Sequence, residues 1–177
     1  MNIFNNIQKY KNNIALIDKD IKISYSELIA KIKVLKKFIS KKNIIFLICE
    51  NTIDCILIYI GLIKFDAKII LLSKSLDNKD LIKLVKAYKP RFIFKPSHYM
   101  FKTKYKRTYI FDTYELIETK FKPYKKIDKN LSILISTSGS SGNIKYVALS
   151  KNNILANTNS ITKYLKLHKK DKTITTL

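Results

Sequence analysis

"IIFLICENTIDCILIYIGLIKFDAKIILL", residues 44–72, sets the architecture of this chain of 177 residues. It opens with Ile44–Cys49, a continuous apolar run too short for a helix and of the kind found in strands buried on both faces. From Thr52 to Phe65 the period changes. Ile53, Ile56, Leu57, Ile60 and Ile63 fall on one helical stripe, while Ile58, Tyr59 and Leu62 make the remaining surface apolar too, so this helix is expected to be largely buried. Gly61 costs the helix propensity, and the expected return is close packing against a neighbour. Lys68–Leu72 then reads as a second buried strand.

Moving outward, residues 75–90, "SLDNKDLIKLVKAYKP", predict a helix capped by Asp77, with Leu81, Leu84 and Val85 inward and Pro90 ending it. Arg91–Lys95 is a third strand. Toward the N-terminus, residues 23–40 place Ser24 and Glu27 in capping-box spacing ahead of Leu28, Ile32, Leu35 and Ile39 at helical intervals. Strands alternating with helices at these spacings define an α/β fold of layered βαβ units with a largely parallel sheet. Between Pro96 and Asn130 the pattern loosens, with Thr108–Asp112 the only clear strand, and a loop-rich surface is expected. Leu131–Thr137 resumes as a strand, and Tyr146–Ser150 is a short one. Ser150 then caps a helix carrying Ile154, Ile161 and Leu165. No repeat or flexible linker divides residues 1–177, which read as one domain.

The bulk numbers exclude several classes. An apolar fraction of 46% with 11% aromatics can bury enough surface to fold. The net charge of +22 points first toward nucleic acid or an anionic membrane. Arg91 and Arg107 are the only arginines, however, and the remaining positive charge is lysine spread along the whole chain. Nucleic-acid recognition favours the planar guanidinium fork, so specific nucleic-acid binding is disfavoured. The most apolar region, Cys55–Ile63, is far short of the roughly 20 residues a spanning helix needs. Met1–Tyr10 lacks the progression of a secretory signal, and a cytoplasmic location is expected. Cys49 and Cys55 match no zinc or redox spacing and read as buried small hydrophobes. His98 and His168, without cysteine or acidic partners at ligand spacing, read as surface residues. Glu50 and Asp54 read as a strand-end charge and a helix cap.

The remaining signal is Thr137-Ser138-Gly139-Ser140-Ser141-Gly142-Asn143-Ile144-Lys145, which holds two of the three glycines in the chain. A strand leading into a loop of glycines and hydroxyls is a natural anion cradle: glycines let the backbone turn its amides outward, and hydroxyls donate further bonds. Lys145 adds a mobile point charge for a phosphate. The spacing is neither that of a Walker A loop nor that of a Rossmann fingerprint, and it lacks the centred serine of a nucleophile elbow. Taken alone, it fits a ligand-free serine-rich turn as well as a phosphate site.

Its context resembles the phosphate-loop motif of the adenylate-forming (AMP-binding) superfamily: acyl- and aryl-CoA ligases, peptide-synthetase adenylation domains and luciferases. In that family a strand enters a T-S-G-[ST]-[ST]-G-x-x-K loop, then a small apolar strand, then a helix beginning near an N-L or N-I pair. Thr137, Ser138, Gly139, Ser140, Ser141, Gly142 and Lys145 match the loop, and Asn153-Ile154 falls at the helix. "IALIDKDIKISYSELIAKIKVLKKFI" resembles the family's opening, where a strand pair precedes the first helix. Residues 43–76 resemble its second block. At two positions the chain departs from the pattern: Asp66 stands where a glycine is usual, and Lys151 stands where many members carry histidine.

The resemblance implies ATP and Mg2+ as cofactors, with the seven matched loop residues holding the β- and γ-phosphates while a carboxylate attacks the α-phosphate. It implies that the chain is the opening part of an N-terminal domain. The magnesium-ligating glutamate, ribose-binding aspartate and catalytic lysine then lie beyond Leu177, leaving no catalytic residue here and no activity for the chain alone. On this reading a separately encoded remainder of the enzyme, a carrier protein or CoA are the partners, and buried apolar surface is left uncovered. A non-catalytic nucleotide- or phosphate-binding module is the alternative, followed by a lysine-rich nucleic-acid binder.

Overall fold

The computed structural model describes residues 7–39, 43–101, 105–136 and 146–175. A hairpin of β1 (Ile14–Asp18) and β2 (Ile21–Ser24) precedes α1 (Tyr25–Lys33). Ser24 caps α1: its Oγ accepts from Glu27 N at 3.2 Å, and Glu27 Oε2 accepts from Ser24 N at 2.7 Å. The helix ends earlier than its periodicity suggests, because Val34–Phe38 tighten into a 3-10 turn. Leu28, Ile32 and Leu35 nonetheless remain buried.

The central strands are β3 (Ile44–Cys49), β4 (Lys68–Ser73), β5 (Phe92–Pro96) and β8 (Leu131–Ser136). They pair in parallel, with Ile45 opposite Ile69 and Phe92, and Ile69 opposite Ile133. Antiparallel strands flank this block: β6 (Lys106–Phe111) and β7 (Tyr114–Glu118) beyond β5, and β9 (Tyr146–Ser150) beyond β8. The sheet order is β6-β7-β5-β3-β4-β8-β9. Two helices link the first three parallel strands: α2 (Ile53–Lys64), between β3 and β4, and α3 (Asn78–Tyr88), between β4 and β5.

Alternate residues of each strand feed two cores. On one face Ile45, Leu47, Ile69 and Phe94 meet Ile32 and Leu35 and, from α2, Leu57, Ile58 and Leu62. On the other, Phe46, Ile48, Ile70 and Ile93 meet Leu81, Leu84 and Val85 of α3. Each such side chain stabilises the fold by about 1.5–3 kcal/mol relative to exposure, which is why the apolar runs lie where both faces are covered. The chain passes from β4 to β5 across β3, so the order reverses at β3. In open α/β sheets such a reversal opens a crevice at the carboxyl ends of the strands.

Two expectations need correction. Residues 96–130 are rich in loop as expected, but beside β6 they hold a second strand, β7, an interior strand between β5 and β6 with Tyr114 to Ile117 all buried. Its disguise is Glu115, which faces the sheet interior and pairs with Lys95 at 2.9 Å, both side chains being nearly inaccessible. The buried stripe of α2 is rotated from the expected one toward Leu57, Ile58, Gly61 and Leu62, leaving Ile53, Ile56 and Ile60 half-buried. Gly61 explains the rotation: a Cβ there would strike Leu35 Cδ1 and sit 3.2 Å from Ile32 Cβ, so the glycine lets α2 approach α1 closely. The last helix, α4 (Lys151–Tyr164), forms behind its Ser150 capping box but buries no residue; Ile154 packs partway into the first core, while Ile161 and Leu165 are exposed.

Candidate functional site

All seven loop residues singled out from the sequence, Thr137, Ser138, Gly139, Ser140, Ser141, Gly142 and Lys145, lie outside the described residues. Their flanks are described. Ser136 ends β8 and pairs with Tyr146 at the start of β9. Tyr146 is steadied by an edge-on contact with Tyr88, the ring centroids 5.5 Å apart. Burial, and then the charge of Tyr88, raises its phenol pKa above the ordinary value.

Because β3, β4, β5 and β8 run parallel, Ser136 shares the carboxyl edge of the sheet with Cys49, Ser73 and Pro96. The polar residues that follow these strands gather there. Glu50, after β3, lies 3.1 Å from Lys74, after β4, and 3.5 Å from Nε2 of His98, after β5. Next to Glu50, Asn51 Nδ2 donates to Thr175 O at 2.8 Å, and the Thr175 hydroxyl bonds Asn51 Oδ1 at 2.8 Å, which ties the last described residues to the same edge. Asp54, in the first turn of α2, accepts from Thr113 N at 2.8 Å and Thr113 Oγ1 at 2.6 Å. A cleft of about 380 Å³ opens between β1, the start of α2 and Thr173–Thr175.

Sequence reasoning missed the Glu50, Lys74 and His98 grouping. The available signal was that each follows a parallel strand, and such residues must share one edge. Both histidines do have an acidic neighbour, since His168 Nδ1 lies 3.4 Å from Asp171. Among the described residues, though, no three His, Cys, Asp or Glu side chains cluster to hold a metal ion. Cys55 is buried and Cys49 half-buried. The two thiols share a hydrogen bond that lowers Cys55 to about 7 and raises Cys49, with burial also opposing ionisation of both.

The two departures from the family pattern meet in space. Asp66 sits in the left-handed region at φ 59°, the conformation for which glycine is the usual choice and which aspartate tolerates better than most residues. Its Oδ1 accepts from Lys151 Nζ at 2.7 Å, across 85 positions of sequence. This pair lies at the opposite, amino edge of the sheet, where β4 begins and β9 ends.

A sheet wound on both faces, its parallel strands ending at one polar edge with a glycine-, serine- and lysine-bearing connection after β8, defines an α/β protein of the kind that holds ligands at strand carboxyl ends. The chain belongs to the AMP-binding enzyme family, whose model matches residues 3–177. Its fold is that of the adenylate-forming enzyme N-terminal domain, shared with O-succinylbenzoate coenzyme A synthetase (MenE) from Bacillus subtilis in complex with AMP at TM-score 0.66 and 18% identity, over 93% of this chain and 47% of that one. VinN matches at TM-score 0.69 and 16% identity, over 93% of this chain and 48% of its own. The N-terminal subdomain of Klebsiella oxytoca NpsA matches at 0.60 and 18%, over 83% and 40%. At these identities the likeness shows the fold alone, and the chain spans less than half the length of these relatives. No curated protein matches the chain by sequence. Among the described residues no helix is long and apolar enough to cross a membrane.

Proposed function

We propose that this chain supplies the phosphate-holding half of an ATP-dependent ligase that activates a carboxylate as an acyl-adenylate. The observation that carries this reading is the family match over residues 3–177, which includes the loop Thr137–Lys145. The fold agrees, because the residues flanking the loop stand at the strand carboxyl edge, where α/β sheets place ligands.

The chemistry asked of the loop is positioning and charge stabilisation. As a carboxylate oxygen bonds to the α-phosphorus, the bond to the β-phosphate bridging oxygen breaks and pyrophosphate leaves with the charge that bond released. Backbone amides around Gly139 and Gly142, the hydroxyls of Thr137, Ser138, Ser140 and Ser141, and the Lys145 ammonium hold the leaving phosphates and meet that charge. Among the described residues no cluster of His, Cys, Asp or Glu side chains fits Mg2+, and the resemblance places the glutamate that would hold it beyond Leu177. The bare outer surface of α4 supports a role for further polypeptide, whether continuous with this chain or separate, in completing the nucleotide and carboxylate sites.

The test is carboxylate-dependent exchange of labelled pyrophosphate into ATP, run with the polypeptide that completes the site. Lys145→Ala removes a charged hydrogen bond worth about 1.5–3 kcal/mol, so exchange falls roughly ten- to hundredfold. Unchanged exchange refutes the role given to the loop. The second reading, a nucleotide-binding module without turnover, gives nucleotide-induced stabilisation of the chain but no exchange with any completing polypeptide.

A further inference from the structure

A cavity of about 780 Å³ lies not at the carboxyl edge but at the amino edge of the sheet, under the segment that leads into β8. The length of β8 separates the two edges, about 17 Å at 3.3 Å per residue. Lys68, Lys125, Lys126, Lys129 and Lys151 line it, against one carboxylate, Asp66, which Lys151 already occupies. Lysines are five of its thirteen lining residues, about twice the share that 35 Lys+Arg in 177 would give.

Lys68 is the telling residue, because it is buried at 6% exposure in the first position of β4. Burying an ammonium is costly unless its donors are satisfied. Here Nζ donates to the main-chain carbonyls of Lys129, at 3.1 Å, and Leu131. Those bonds tie the lysine-rich segment to the sheet, holding Lys125, Lys126 and Lys129 around the opening while the buried Ser132 stands beside them. None of these three exposed lysines takes part in a described ion pair, and Asp128, the carboxylate between them in the sequence, accepts from Asn130 N at 2.8 Å.

We propose that this cavity is a second anion site that binds a polyphosphate group, free or as the tail of a nucleotide, independently of the loop at the carboxyl edge. Three mobile ammonium groups around a recess suit a flexible, multiply charged chain of phosphates better than a planar carboxylate, which favours a guanidinium fork. The size lies within the range of small-ligand pockets.

The experiment is calorimetric titration of the full chain with magnesium-free tripolyphosphate and, separately, with ATP, at fixed ionic strength. It compares wild type, Lys145→Ala, the triple variant Lys125→Gln/Lys126→Gln/Lys129→Gln, and a control triple, Lys31→Gln/Lys33→Gln/Lys36→Gln, on the outer face of α1 and its 3-10 extension. All six triple-variant lysines are exposed, so folding is retained, and circular dichroism verifies it. The proposal expects a tripolyphosphate-binding component that is unchanged in Lys145→Ala and in the control triple, and at least about tenfold weaker in the cavity triple, equivalent to about 1.4 kcal/mol. In Lys145→Ala, where the loop is weakened, tighter binding of ATP than of tripolyphosphate by that component assigns the occupant to a nucleotide, and the reverse assigns it to free polyphosphate. Equal weakening in both triples, or none in the cavity triple, overturns the site. Loss of binding in Lys145→Ala alone also overturns it and leaves the loop reading standing.

Discussion

Substituting Gly61 by alanine tests how α2 is seated. In an isolated helix the change is favourable by about 0.8–1.0 kcal/mol, because alanine is the better helix former. Here the added Cβ would run into Leu35 Cδ1 and stand 3.2 Å from Ile32 Cβ. Leu35 and Ile32 are both completely buried, so the leucine methyl has no open space to move into, and the isoleucine Cβ is fixed to its helix backbone. Overpacking of this kind costs about 1–3 kcal/mol, which after the propensity gain leaves Gly61→Ala destabilising by up to about 2 kcal/mol. For a chain of this size that lowers Tm by up to about 8 °C. Leu35→Ala costs about 2–5 kcal/mol in its own right, but it removes the colliding methyl. In that background Gly61→Ala should cost no more than about 0.5 kcal/mol, giving a coupling of about 1 kcal/mol or more in a double-mutant cycle followed by thermal or urea unfolding. A rise in Tm on Gly61→Ala in the otherwise unaltered chain would show that propensity decides and that the close approach is no constraint.

Lys95→Met strands the buried Glu115 carboxylate and should cost about 3–5 kcal/mol, whereas Lys95→Met with Glu115→Leu should restore most of that loss by urea unfolding. Asp66→Gly relieves the left-handed backbone and loses only a half-exposed ion pair, so stability changes by less than about 1 kcal/mol; Asp66→Val at the same φ costs about 1–2 kcal/mol or more in thermal melts. Capping hydrogen bonds from Ser24 hold the Glu27 pKa below its ordinary value. A lowered carboxyl stabilises above its unfolded pKa, so the Tm advantage of the native chain over Glu27→Gln is present at neutral pH and disappears as pH falls below about 4.5 through the folded pKa. An advantage that grows on acidification would reverse that sign.

Much of the fold was legible because its apolar runs have one meaning. Ile44–Cys49 and Ile69–Leu72 carry no polar alternation, and only a strand covered on both faces suits them. Ser24, Asp77 and Ser150 stand at the N-caps of three of the four described α-helices as the sequence suggested, but α2 is capped by Thr52 and not by Asp54, whose carboxylate accepts from Thr113 instead. β7 was illegible because its stability rests on a pairing invisible in one dimension: Glu115 is an interior residue only in the presence of Lys95, 20 positions earlier. The orientation of α2 was illegible for a similar reason, since an all-apolar helix offers no moment, and Leu35 and Ile32 against Gly61 choose its face. For the site, the reading of the loop came from its resemblance to the family's motif, since its residue types and spacing alone fit a ligand-free turn as well, whereas the Glu50, Lys74 and His98 grouping and the Asp66 to Lys151 pair exist only once the strands are laid side by side.

The central claim is that the loop holds the phosphates of ATP, and equilibrium binding of Mg-ATP to the 177-residue chain tests it most directly. The measurement takes wild type, Lys145→Ala and the cavity triple variant, with Tm followed against nucleotide concentration. A ligand that binds only the folded state stabilises it by about 2.7 kcal/mol at a hundredfold excess over Kd. The account predicts a concentration-dependent rise in Tm for the wild type and for the cavity triple, with the midpoint displaced at least about tenfold by Lys145→Ala. No rise in the wild type, or an identical titration for Lys145→Ala, would contradict it.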